Sequence, residues 1–278
     1  MTDYIFKKEK ESDTCINIYV DPAQPYLADH DVGVPLLGTV MSLEAIAEAV
    51  WELTGKKVTK ICRLESGVDC LIPTPQQLQV EIFQKEENLL TCRFTQNGDL
   101  LFACDACVEQ EKTKMRNAVA SDFQVDQLCQ AKKEDVYKVL FHGPAFQVVD
   151  SVWFDGRDMF GKGHIPMPSL RKEPVVELLP IRVIELCLQT SGMLDIALDG
   201  MMSVPKGIRS VSLYTHSMTE SVYTKAVKTE LGNNILAYNR QGELLVAIEG
   251  YETKEIPYSE RQCPVEMQEL HARFIRRK

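Results

Sequence analysis

A chain of 278 residues, 45% hydrophobic and 26% charged, has room for one large domain or two ordinary subdomains with real cores. A formal net charge of −9 argues against a phosphate-binding working face, and no apolar run is long enough to span a bilayer. The charged start, Met1 to Glu11, leads into no secretory hydrophobic segment, so the expectation is a cytoplasmic protein with neither nucleic acid nor membrane as partner.

Cys15 to Val20 reads as a short β-branched strand that runs into a Pro- and Asp-containing turn at Asp21 to Pro25. Leu36 to Thr54 is the clearest helix of the first half. Leu37, Val40, Met41, Ala45, Ile46, Ala47 and Val50 recur at helical spacing, Glu44, Glu48 and Glu52 are read as its polar edge, and Gly55 is a suitable stop. Strands are expected at Lys57 to Leu64, Leu78 to Gln84 and Leu89 to Thr95. Asn97-Gly98-Asp99 then turns into a fourth, Leu100 to Gln110.

Glu111 to Asp122 is polar and aperiodic, which suits a linker, and the plan then repeats. A short helix near Lys133 to Leu140 precedes strands within Phe146 to Phe154 and Met159 to Pro166. A long helix from about Leu179 to Asp195 is followed by strands at Gly207 to Thr215, Ser221 to Thr229, Asn234 to Asn239 and Glu243 to Glu255. A curved antiparallel sheet wrapped around one long helix, occurring twice, describes an α+β double hotdog. The expected division is an N-terminal hotdog over residues 1–112, a linker over 113–134 and a C-terminal hotdog over 135–278.

Nine cysteines, spread widely and without a secretory context, read as reduced thiols. Cys104 and Cys107 form the one close pair, but a structural zinc site needs four ligands and no second pair accompanies them. Their spacing on a strand places them on opposite faces. The basic clusters Arg171-Lys172 and Arg273, Arg276, Arg277, Lys278 read as solvated surface.

Two segments stand out for chemistry, one leading into each long helix. The first is Tyr26-Leu27-Ala28-Asp29-His30-Asp31-Val32-Gly33-Val34-Pro35, continuing to Gly38 and Thr39. The second joins Phe141-His142-Gly143-Pro144-Ala145-Phe146-Gln147 to the helical run Ile184-Glu185-Leu186-Cys187-Leu188-Gln189-Thr190. In these motifs, taken in order, the chain resembles the dehydratase domains of polyketide synthases and polyunsaturated-fatty-acid synthases, from about Thr14 to Pro257. It departs from them in carrying Glu185 where Asp is usual, and in a shorter loop between His30 and Pro35.

The resemblance implies removal of water from a β-hydroxyacyl thioester carried on the phosphopantetheine arm of an acyl carrier protein. No metal or dissociable cofactor is implied, and other synthase domains are the expected neighbours. His30 takes the base position and Glu185 the acid position. A neutral imidazole suits the first role, and a carboxyl whose pKa is raised by an apolar pocket suits the second. Gln189, one turn from Glu185, is expected to hold that carboxyl. Gly33, Pro35, Gly38, Gly143 and Pro144 are expected to line the substrate site, with amides near Gly33 or Gly38 facing the enolate-like oxygen.

His142 is read as a tunnel-wall residue. His164, His216 and His271 have no partner constellation, and Ser42, Ser191 and Ser212 lack a nucleophile-elbow pattern. Rival readings are a hotdog isomerase or cyclase, a thioesterase, and a degenerate acyl-binding domain without activity. A two-fold homodimer is the default assembly.

Overall fold

The computed structural model describes residues 3–109, 128–164, 168–214, 221–255 and 264–276. In the first half, strands β1 (Lys7–Lys10) and β2 (Cys15–Val20) lead to a one-turn helix α1 (Pro25–Ala28) and the long helix α2 (Thr39–Thr54). Strands β3 (Val58–Ser66), β4 (Gln76–Glu86), β5 (Leu89–Gln96) and β6 (Asp99–Val108) follow. The second half contributes β7 (Ala131–Lys132), the one-turn α3 (Lys133–Val136), β8 (Ser151–Phe154), β9 (Met159–His164) and the long helix α4 (Ile181–Asp199). It ends with β10 (Ser203–Leu213), β11 (Ser221–Thr229), β12 (Gly232–Asn239), β13 (Leu244–Glu255) and α5 (Pro264–Ile275).

The strands form one sheet in the order β1-β2-β4-β5-β6-β3-β10-β13-β12-β11-β9-β8-β7. Its seam is the antiparallel pairing of β3 with β10, running from Gly207 opposite Glu65 to Ser212 opposite Lys60. The end strand of each half therefore pairs with that of the other, and each half wraps its own long helix. This is the double hotdog that the strand–helix pattern predicts.

Sequence explains why the elements stop where they do. Asn97 and Gly98 both adopt positive φ, at 51° and 90°, which is the two-residue geometry that joins twisted antiparallel strands. Gly55 and Gly200 end α2 and α4 in the left-handed conformation, each N–H bonding back to the carbonyl four residues earlier. Both long helices are buried along nearly their whole length, and every residue from Val40 to Val50 is covered. Each large apolar side chain sealed there contributes on the order of 1.5–3 kcal/mol.

Four sequence expectations need correction. Glu44 and Glu48 are not a solvated edge but are fully buried, because their carboxylates accept backbone N–H groups from distant segments. Residues 131–134, assigned to the linker, join the second half: Ala131 pairs with Val152, and α3 starts at Lys133. Strand β1 was not expected, nor was helix α5, which buries Met267, Leu270 and Phe274, while Arg273 and Arg276 are exposed as expected. Residues 113–127 of the expected linker lie outside the described residues, as do His216 and Cys263. Among the described residues no helix is long and apolar enough to cross a membrane.

Candidate active site

Helix α1 delivers His30. Pro25 sets the first turn, Asp29 ends it, and the His30 N–H donates to the Leu27 carbonyl at 3.0 Å while its own carbonyl accepts the Leu36 N–H at 2.9 Å. The imidazole is buried at 8% exposure, packed edge-on to Phe141, His142 and Phe146 with ring centroids 4.9, 5.1 and 5.8 Å away. Gly38, the residue that opens α2, lies against the same ring. A Cβ there would stand 2.8 Å from both His30 Cε1 and Nε2, so only glycine permits this approach.

Helix α4 delivers the carboxyl. Glu185 is buried at 5% exposure, one turn before Gln189, and the Gln189 amide donates to Glu185 Oε1 at 2.7 Å as expected. That amide is held from both sides. Its Nε2 also donates to the Phe146 carbonyl at 2.8 Å, and its oxygen accepts from Tyr137 Oη at 2.7 Å. Tyr137 Oη in turn accepts the Val149 N–H at 2.9 Å.

His142 joins the two halves of the site. Its Nε2 lies 3.1 Å from Glu185 Oε1, while its ring stands beside that of His30. The side chains of His142 and Glu185 are 8% and 6% exposed, and the Nδ1 atoms of His30 and His142 are buried without a hydrogen-bond partner. The sequence reading of His142 as a wall missed this contact. A polar, titratable side chain in the turn before Gly-Pro was the available signal.

Electrostatics separates the two groups. Burial, and then the neighbouring charge of His142, depresses the His30 pKa to about 4, so the ring is neutral at physiological pH. For Glu185 burial pushes upward, but the contact with His142 and the neighbouring His30 and Gln189 outweigh it, and the carboxyl falls below its ordinary range. This corrects the expectation of a raised carboxyl pKa, because the pocket is not purely apolar.

The remaining expected residues are placed unevenly. The Gly33 N–H donates to Asp31 Oδ1 at 2.7 Å in an exposed turn, so that amide is already engaged. Pro144 is exposed, whereas Ala145 and Phe146, next in its 3-10 turn, point inward. Pro35 is half-buried and its carbonyl accepts the Ile72 N–H at 2.7 Å. Gly143 abuts Asp29, where an added Cβ would meet Oδ1 at 2.5 Å. Gly38 is the glycine that touches the His30 ring, and no side chain caps the first-turn amides of α2.

His142 bridges His30 and Glu185, its ring centroid 5.1 Å from that of His30 and its Nε2 3.1 Å from Glu185 Oε1. A cavity of about 440 Å³, bordered by Ile5, Tyr19, Gln24, Tyr26, Gln76 and Arg171, lies elsewhere, against the outer strands β1, β2 and β4. Cys104 stands opposite the buried Cys92, and Cys107 lies beside Cys62. His164 ends β9 on the surface, and His271 Nδ1 contacts the Ile196 carbonyl at 2.7 Å, tying α5 to α4.

Comparison with known proteins places this geometry. Residues 130–262, just under half of the chain, match the family model described as the polyketide synthase dehydratase N-terminal domain. No curated protein matches. Among solved structures, the dehydratase domain from the CurK module of curacin polyketide synthase is 19% identical, with a TM-score of 0.73 over 93% of this chain and all of that one. A trans-AT polyketide synthase dehydratase domain from Brevibacillus brevis is 16% identical, with a TM-score of 0.70 over 87% of this chain and 94% of that one. A pyran synthase domain from module nine of the sorangicin pathway is 14% identical, with a TM-score of 0.71 over 90% and 97%. A His→Phe and an Asp→Asn variant of the CurK dehydratase, both described as inactive, also match. The chain therefore has the fold of polyketide synthase dehydratase domains, and its second half carries that family's sequence pattern.

Proposed function

We propose that the protein removes water from a β-hydroxyacyl thioester in polyketide assembly, with His30 as base and Glu185 at the acid position. The observation that carries this reading is the junction of a neutral buried imidazole and a buried carboxyl, from opposite halves of the chain, around His142. His30 accepts the proton from the carbon next to the thioester carbonyl. The resulting electron pair forms the double bond as the β-hydroxyl takes a proton and leaves as water. The uncapped amides at the start of α2, beside Gly38, supply positive charge to the carbonyl oxygen through the helix dipole.

The inactive His and Asp variants of the CurK dehydratase support assigning one imidazole and one carboxyl to the reaction. A carrier-protein-bound substrate, docking among other synthase domains and a homodimeric assembly fit the same reading.

The test is incubation with 3-hydroxyacyl pantetheine thioesters, followed by mass spectrometry. Loss of one water supports the dehydratase reading. Because a pyran synthase shares the fold, the product is also examined for ring closure. Free acid would point to thioester hydrolysis, and binding without turnover to a degenerate domain.

A further inference from the structure

We infer that the proton given to the departing hydroxyl is held jointly by His142 and Glu185, rather than by the carboxyl alone. This rests on the dehydratase reading and deepens it. The geometry is one-sided: Glu185 Oε1 receives the Gln189 amide at 2.7 Å and faces His142 Nε2 at 3.1 Å. Gln189 cannot turn over to present its oxygen instead, because Phe146 and Tyr137 fix both ends of its amide. Oε1 is thus the edge of the carboxyl that faces both Gln189 and His142, and the proton passed to substrate is drawn from the pair.

A second constraint fixes His142. Asp29, the residue before His30, accepts the Gly143 N–H with its carbonyl and the Ala145 N–H with Oδ2, both at 2.7 Å. The imidazoles at 30 and 142 are therefore each one residue from the same clamp. Contact with His142 is the largest of the influences that lower the Glu185 carboxyl.

The step balances. His30 takes the proton from the α-carbon, the C–H pair becomes the double bond, and the C–O bond breaks with its electrons on oxygen. The pair gives that oxygen one proton, so water leaves and the pair is left one proton short. Loss of the proton from His30 to solvent and uptake of one by the pair reset both groups, so substrate and product differ by water alone.

Two protonated forms of a pair bind a proton more tightly than either form by itself. Removing His142 while keeping a neutral amide deletes one of them. In His142→Asn, and in His142→Gln as a second variant, the alkaline limb of kcat/KM for water loss should move to lower pH by at least about one unit. Activity lost at pH 8 should then be partly recovered at pH 6. A limb that stays in place or moves upward, with water loss intact, overturns the pair while leaving the dehydratase reading standing; absence of water loss in the wild type fails both.

One readout needs no variant. The Glu185 side-chain carboxyl, followed by carbon-13 NMR in the wild-type protein, should be ionised at pH 6. A carboxyl still protonated there overturns the inference.

Discussion

Asp29 grips the turn that follows His142: its carbonyl holds the Gly143 N–H and its carboxylate the Ala145 N–H, across the two halves of the chain. The contact is so close that no side chain fits at Gly143. One residue thus sets the spacing between the two imidazoles of the site. Asp29→Ala leaves a buried N–H unsatisfied, and should cost about 1–3 kcal/mol of stability. It should also lower kcat more than it raises KM, because the reacting groups rather than the chain-binding surface are displaced. Chemical denaturation and steady-state kinetics check both parts.

Glu44 plays the corresponding part for the long helices. From α2 its carboxylate accepts the Leu178 and Leu179 N–H groups, at 2.6 and 2.9 Å, just before α4 begins. Helix α4 carries Glu185, and α2 begins beside His30. Glu44→Ala should destabilise the fold by several kcal/mol, since two buried donors lose their acceptor. Glu44→Gln keeps one acceptor and should cost less. Thermal melts of the two variants give the comparison.

The buried His30 makes stability depend on pH. Its folded pKa of about 4 lies below the unfolded value near 6.5, so between these values the unfolded chain binds more protons. Stability contributed by the neutral ring is complete above about pH 6.5 and is lost as pH falls towards 4, by roughly 3 kcal/mol. Urea unfolding at pH 7 and pH 5 should show a smaller acid-side loss in His30→Asn than in the wild type.

Gly38 and Gly192 make a controlled pair. At Gly38 an added methyl strikes the His30 ring, so Gly38→Ala should abolish activity while leaving the fold largely intact. At Gly192, within α4, nothing lies within 4 Å of an added Cβ. Gly192→Ala should therefore raise stability by up to about 1 kcal/mol through helix propensity, with activity retained.

Much of this architecture was legible from period and punctuation. The strands Cys15–Val20 and Ser221–Thr229, the Asn97-Gly98 turn and the Gly55 helix stop needed no tertiary information. The pairing of Glu185 with Gln189 followed from helical spacing, and His30 from its motif. Contacts between distant segments were not legible. Glu44 and Glu48 look like a solvated edge because their partners, the amides of residues 178–179 and 5–6, appear in no local pattern.

The position of His142 opposite Glu185 is likewise long-range, and with it went the sign of the carboxyl's pKa shift. Strand β1 carries three lysines in four residues and shows no alternation, as suits a protected sheet edge. Helix α5 had a signal in Met267, Leu270 and Phe274, at spacings of three and four, which the basic end of the chain obscured.

The claim that most depends on direct proof is that the imidazole of residue 30 removes the α-proton. Single-turnover water loss from a 3-hydroxyacyl thioester, with hydrogen or deuterium at the α-carbon, measures it. The wild type should process the deuterated substrate more slowly, and His30→Ala should lose about 10²–10⁴-fold in rate. Water loss by His30→Ala at the wild-type rate would contradict the account.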